Sequence, residues 1–202
     1  MVAPACPVDS PQFPAEDYAY LLGIYLGDGH LVRFPRDVYK LTIACDAGYP
    51  GLIDAAARAV KAVLPTNRVT LIRHPVDRCT RVQCYSKRMP SLFPQHGPGR
   101  KHERRIVLST WQADITEGHA EAFVRGLMHS DGSRFVARQR VGIKTYEYVR
   151  YAFANRSEDI KAILCRHLDL LDIGWTRPNA KLIAIDRRAE VAKLDAFIGP
   201  KH

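Results

Sequence analysis

The chain has 202 residues, 47% of them hydrophobic, with 30 Lys and Arg against 21 Asp and Glu and a net charge of +9. This allows one large domain or two small ones with a real core, and it is too short for a long repeat array. The longest apolar stretches fall well short of a membrane span, and the start, with Pro4, Pro7, Pro11 and Pro14, shows no signal peptide. The cysteines, Cys6, Cys45, Cys79, Cys84 and Cys165, are odd in number and contain no Cys-x-x-Cys pair, which argues against a zinc site and a disulfide framework. A reducing, cytoplasmic compartment and buried thiols are expected.

Residues 1–15 read as an irregular proline-rich arm. A helix follows, with Tyr18, Leu21, Leu22, Tyr25 and Leu26 in step and Asp17 as N-cap. Residues 30–34 and 39–45 read as a hairpin, with Tyr39, Leu41, Ile43 and Cys45 on one face and Lys40 and Thr42 on the other. Pro50 opens a helix striped by Ile53, Ala56, Ala57, Val60 and Val63, which Pro65 stops. Residues 68–73 and 79–85 form a second strand pair, in which Arg81, Gln83 and Tyr85 share a face. A short helix near residues 86–93 leads to a Gly-Pro-Gly loop before Lys101.

The second half repeats that order. After a connector over residues 103–116 come an apolar helix, strands at 133–141 and 146–153, a helix preceded by Asn155 and Ser157, strands near 173–177 and 181–185, and a last helix. Two offsets support a duplication: Asp28 to Asp131 (131 − 28 = 103) and Lys101 to Lys201 (201 − 101 = 100). The expected fold is α+β: two αββαββα repeats, over residues 16–102 and 117–202, forming antiparallel sheets. Each half alone exposes an apolar helix face, so pairing the halves buries both.

The basic residues cluster. Between residues 68 and 88 there are six Lys or Arg against one acid, and between 133 and 146 there are four and none. Such patches suit a polyanion, with nucleic acid the default partner.

One stretch occurs twice, as LLGIYLGDG over residues 21–29 and VRGLMHSDG over residues 124–132. Each is an apolar helix with small residues four apart, Gly23 with Gly27 and Gly126 with Ser130, which share a face and let two backbones approach. Each ends in Asp-Gly. The Gly suits a left-handed helix end, while the Asp is badly placed at a negative helix C-terminus, so a cation should compensate it. His129 reads as a packed or capping residue.

These stretches resemble the motif of the LAGLIDADG homing endonucleases, in the single-chain form with two motifs. Leu26 and His129 depart from it, at a position that varies in the family. The resemblance covers roughly residues 17–202 and implies a saddle of two sheets over double-stranded DNA, with the motif helices at its centre. It further implies that Asp28 and Asp131, with the carbonyls of Gly27 and Ser130, hold Mg2+, for which Mn2+ or Ca2+ can stand in for binding. Magnesium suits one or two carboxylates plus substrate phosphates. Lys101 and Lys201 take the place of the family's active-site lysines, and Gln83 that of its water-organising polar residue, without a counterpart in the second half.

DNA contacts are assigned to the polar strand faces: Arg33, Lys40, Thr42, Arg68, Arg73, Arg81 and Gln83, then Arg134, Arg138, Arg140, Lys144, Arg150, Arg177 and Lys181. Arg134, Arg138 and Arg140 are even-spaced and share a face. The implied activity is site-specific double-strand cleavage of a long non-palindromic site by a monomer with no obligate protein partner, free-standing or intron-encoded. A cleavage-deficient transcription regulator and an intron RNA maturase are the alternatives. Retention of both Asp-Gly pairs and both lysines argues for the enzyme.

Overall fold

The computed structural model describes residues 13–73 and 76–199. The first half runs α1 (Ala15–Asp28), β1 (Gly29–Phe34), β2 (Val38–Asp46), α2 (Pro50–Val63), β3 (Val69–Arg73), β4 (Cys79–Ser86) and α3 (Met89–Leu92). A further helix, α4 (Thr110–Gly118), lies within the expected connector. The second half runs α5 (Ala120–Asp131), β5 (Gly132–Val141), β6 (Lys144–Ala154), α6 (Glu158–Leu170), β7 (Thr176–Asn179), β8 (Leu182–Ile185) and α7 (Arg188–Ile198). The two sheets have matching antiparallel order, β1-β2-β4-β3 and β5-β6-β8-β7. The αββαββα repeat therefore holds in both halves.

The helices cover one face of each sheet. Leu41, Ile43, Val82 and Cys84 of the first sheet are fully buried against them, as are Phe153, Ile183 and Ile185 of the second. The other face of each sheet is open. Directly paired residues point the same way, so the register assigns every strand side chain to a face.

α1 and α5 pack against each other at the centre, and α1 is buried almost throughout, from Tyr18 to Leu26. Its start differs from expectation. It begins at Ala15 behind Pro14, which makes no side-chain cap bond, and Asp17 lies inside the first turn. An acid there still favours the helix N-terminus. Ser157, in contrast, does cap α6, its hydroxyl accepting from the Ile160 amide at 3.4 Å.

α4 ties the connector to the core. Ser109 and Gln112 form its capping box. The fully buried Gln112 also donates to Tyr18 Oη at 2.7 Å and to the Leu92 carbonyl at 3.3 Å. Tyr18 Oη donates to the same carbonyl at 2.6 Å. A buried amide so placed costs little because its hydrogen-bonding groups are matched. Cys45, Cys84 and Cys165 are buried thiols.

Candidate active site at the helix crossing

The repeated small residues are where the two central helices touch. A Cβ on Gly23 would stand 2.5 Å from the Phe123 carbonyl oxygen, and one on Gly126 would stand 2.2 Å from that of Tyr20. One turn further, a Cβ on Gly27 would meet Ser130 Oγ at 2.2 Å and Asp131 Oδ2 at 2.9 Å. The Asp131 carboxylate therefore lies directly against the backbone of α1 at Gly27. Close approach of the helices brings the two Asp-Gly ends together.

The glycines after the aspartates serve a different purpose from the one expected. Gly29 (φ −89°) and Gly132 (φ −88°) are extended, not left-handed. Each helix passes into its strand with no intervening loop, and the strand folds back on the last turn. A Cβ on Gly29 would stand 2.7 Å from Tyr25 Cα, and one on Gly132 would stand 2.5 Å from the Met128 carbonyl oxygen. Steric room, not handedness, demands glycine at both places.

The expected compensating cation is Lys101, in a turn of 3-10 helix over Lys101–Glu103. Its ammonium donates to three successive carbonyls at the end of α1: Tyr25, Leu26 at 3.0 Å and Gly27 at 3.0 Å. It adds a donor to the Tyr25 carbonyl, which also takes the Gly29 amide, satisfies the Leu26 and Gly27 carbonyls in the last turn, and opposes the negative dipole end. Burial pulls the Lys101 pKa down to about 8, against the pull of Asp131 and Asp28 in the other direction. The Gly27 carbonyl, expected as a metal ligand, thus already accepts a cationic donor. Lys201 lies outside the described residues.

The aspartates line two hollows. Asp131 faces one of about 520 Å3 with Gly27, His30, Lys101, Asn155 and Arg156. Asp28 lines another with Cys45, Asp46, Arg78, Cys79 and Ser130. The two surroundings are unequal. Asn155 Nδ2 donates to Asp131 Oδ2 at 2.7 Å. In the register Gly132 opposes Phe153 and Gly29 opposes Ile43, so Asn155 corresponds to Cys45. Burial first, and Asp28 after it, push the Cys45 thiol up to about 12. One carboxylate therefore has an amide donor where the other has a neutral thiol nearby. Asn155, Arg156 and His30 were missed from sequence. Asn155 reads there only as part of a helix start, and nothing local announces that it returns to Asp131.

His129 is a packing residue, as expected. Its Nε2 lies 3.0 Å from the Ile198 carbonyl oxygen, which can only accept, so Nε2 carries the proton there. Nδ1 then accepts from Tyr20 Oη at 2.9 Å. Among the described residues no group of three or more His, Cys, Asp or Glu could hold a metal.

The register sorts the expected DNA contacts. Lys40, Thr42, Arg81 and Gln83 lie on the open face of the first sheet, and Lys144 and Arg150 on that of the second. Thr42 and Gln83, paired on the two central strands, are 3% and 8% exposed. Gln83 lines neither hollow. Arg150 Nε meets Asp186 Oδ1 at 2.6 Å, an ion pair although its geometry fails as a hydrogen bond. Arg68 is exposed immediately before β3, and Lys181 immediately before β8.

Six arginines stand otherwise than expected. Arg33 opposes Tyr39 and Arg73 opposes Thr80, on the helix side of the first sheet. Arg134, Arg138 and Arg140 do share a face, but it is the one that also carries Tyr151 and Phe153. Arg134 makes a two-pronged pair with Asp195 of α7, at 2.8 and 2.9 Å, and Tyr151 Oη donates to the same carboxylate at 2.7 Å. Arg138 pairs with Glu147 at 2.7 Å, and Arg177 with Glu158 at 2.8 Å. Even spacing fixes that residues share a face and leaves open which face it is.

No family model matches the sequence, and no curated protein matches it. Solved structures do match in fold. I-DmoI in complex with DNA and Mn is 14% identical, with TM-score 0.57, covering 92% of this chain and 98% of that one. I-DmoI has also been solved with DNA and Ca, at 16% identity and TM-score 0.57 over 92% of this chain and 91% of that one. The LAGLIDADG meganuclease I-AabMI bound to uncleaved DNA is 11% identical, with TM-score 0.55, over 89% of this chain and 82% of that one. A lysine-to-alanine variant of I-SmaMI is 7% identical, with TM-score 0.55, over 95% of this chain and 86% of that one. The chain thus has the two-sheet saddle fold of the LAGLIDADG homing endonucleases.

Proposed function

We propose that this chain is a divalent-metal-dependent, site-specific double-strand DNA endonuclease. One observation carries the reading. Two helices that cross on glycine deliver Asp131 against the backbone at Gly27, beside an end of α1 already capped by the Lys101 ammonium. A regulator that only binds DNA needs neither a carboxylate set against the backbone at Gly27 nor a half-buried lysine on the same helix end.

The residues fit a magnesium-like ion. The donors at the crossing are carboxylates, which suit a hard cation that keeps most of its waters and takes substrate phosphates. Asp28 and Asp131 would hold it. When bound, such an ion polarises the scissile phosphate, lowers the pKa of an attacking water and stabilises the leaving oxygen.

The chain supplies the rest. Asn155 fixes the rotamer of Asp131 through its amide. Lys101 sets positive charge beside the hollow lined by Asp131, where phosphate charge would develop. Lys40 and Arg81 on the open face, with Arg68 at the edge of β3, would hold the backbone of the duplex and fix its register on the saddle. The target is non-palindromic and one chain serves one site, because matched open-face positions differ: the pair His30 and Thr42 in one half answers to Ser133 and Ala152 in the other.

The test is incubation of the purified chain with a randomised duplex library and Mg2+ or Mn2+. Recovery of cut sequences is expected. Asp28→Asn and Asp131→Asn should each keep binding and lose at least one strand cut. Affinity should fall steeply with salt as Lys and Arg release counterions. Sequence-specific binding without cleavage under any divalent ion would turn the reading into that of a regulator.

A further inference from the structure

The open face of the first sheet is less basic and more apolar than its role suggests. Val32, Phe34, Ile72 and Tyr85 all stand on it, as the register requires: Val32 opposes Lys40, which opposes Tyr85, and Ile72 opposes Arg81. They are 39%, 38%, 46% and 45% exposed. Phe34 meets Tyr85 edge-to-face at 5.6 Å, and the Lys40 ammonium sits 5.4 Å over the Phe34 ring. A cross-strand aromatic pair stabilises a sheet, but here both rings stay more than a third open to water. Val32, Phe34 and Tyr85 group around Lys40, while Ile72 stands further along the same face beside Arg81, beyond the row of Thr42, Gln83 and Thr70. Large apolar side chains on a face that also carries cations mark a contact surface. The charge fixes the occupant. Lys40, Arg81 and Arg68 around the patch repel a basic or second copy of this chain and attract a polyanion.

A duplex offers such a patch one apolar feature in its major groove, the C5-methyl of thymine. Arginine reading of guanine is correspondingly reduced on this face, since Arg33 and Arg73 are turned to the helix side. We infer that the first sheet reads its half-site through thymine methyls, with Val32, Phe34, Ile72 and Tyr85 as the specificity-determining residues, and so takes a thymine-rich half-site. This rests on the endonuclease reading and deepens it. Lys40 and Arg81 hold phosphates while the apolar side chains choose among bases, a division of labour in which the charges give affinity and the methyl contacts give discrimination.

The experiment selects bound duplexes from a randomised library with Ca2+, then replaces each enriched thymine of one half-site by deoxyuridine. Uracil pairs identically and lacks only the methyl. Binding should weaken about fourfold per methyl removed, as expected for burial of one carbon. Phe34→Ser and Val32→Thr, at exposed positions that leave the core untouched, should each lose sensitivity to uracil at one position and relax selection there. Enriched guanines in both half-sites, or equal binding of thymine and uracil duplexes, overturns the inference and leaves the endonuclease reading standing. Recovery of no enriched sequence at all overturns both. Self-association that Phe34→Ser abolishes, with the selected sequence unchanged, would assign the patch to a second copy instead.

Discussion

Gly126→Ala is the sharpest perturbation of the helix crossing. The added methyl would stand 2.2 Å from the Tyr20 carbonyl oxygen, 3.0 Å from the Ile24 amide nitrogen and 3.1 Å from Gly23 Cα. All three are backbone atoms of α1, so no rotamer change can relieve the clash and the helices must separate by roughly 1 Å to restore contact distance. Forcing a methylene into a packed core costs about 1–3 kcal/mol, and a rigid neighbour puts this case at the upper end. Alanine's better helix propensity returns about 1 kcal/mol. The net loss is about 2 kcal/mol, or a melting temperature lower by roughly 4–8 °C for a chain of this size. Gly118→Ala is the control. Gly118 ends α4 with nothing within 4 Å of a Cβ, so the variant should gain up to about 1 kcal/mol. Urea unfolding followed by circular dichroism, with the slope checked for constancy, measures both. Equal midpoints for Gly126→Ala and wild type would refute the reasoning, because they would mean that the helices do not touch at this residue.

Two further outcomes follow from the same geometry. Arg134 and Tyr151 hold Asp195 below its ordinary pKa, so its contribution is present above the unfolded value of 3.8 and is lost as pH falls through the folded one. Asp195→Asn should therefore cost about 1 kcal/mol at pH 7, a partly exposed pair plus one hydroxyl bond, and the gap should close below about pH 4; an unchanged gap down to pH 3 would contradict the clamp. Asn155→Ala removes an amide hydrogen bond to the Asp131 carboxylate, so cutting should slow about tenfold or more on one strand and little on the other. Strand-labelled duplex resolves the two, and equal slowing of both strands would sink the positional argument.

Local pattern determined most of the architecture. Apolar stripes at helical spacing, alternation in the strands, and Pro50 as a helix opener are short-range signals, and the structure keeps each within a few residues. The paired small residues announced a helix crossing because only a close approach makes use of them. The misplaced charge of Asp28 and Asp131 announced a cation, and Lys101 is one. The tertiary structure decided what depends on register and on distant return. The face presented by Arg134, Arg138 and Arg140 follows from where Gly132 leaves α5, since a shift of one residue turns every strand side chain over. The extended conformation of Gly29 and Gly132 follows from strands that fold back on their own helices. Asn155 on Asp131, Gln112 under Tyr18 and His129 on Ile198 join residues far apart in the chain, by hydrogen bonds that no sequence periodicity encodes.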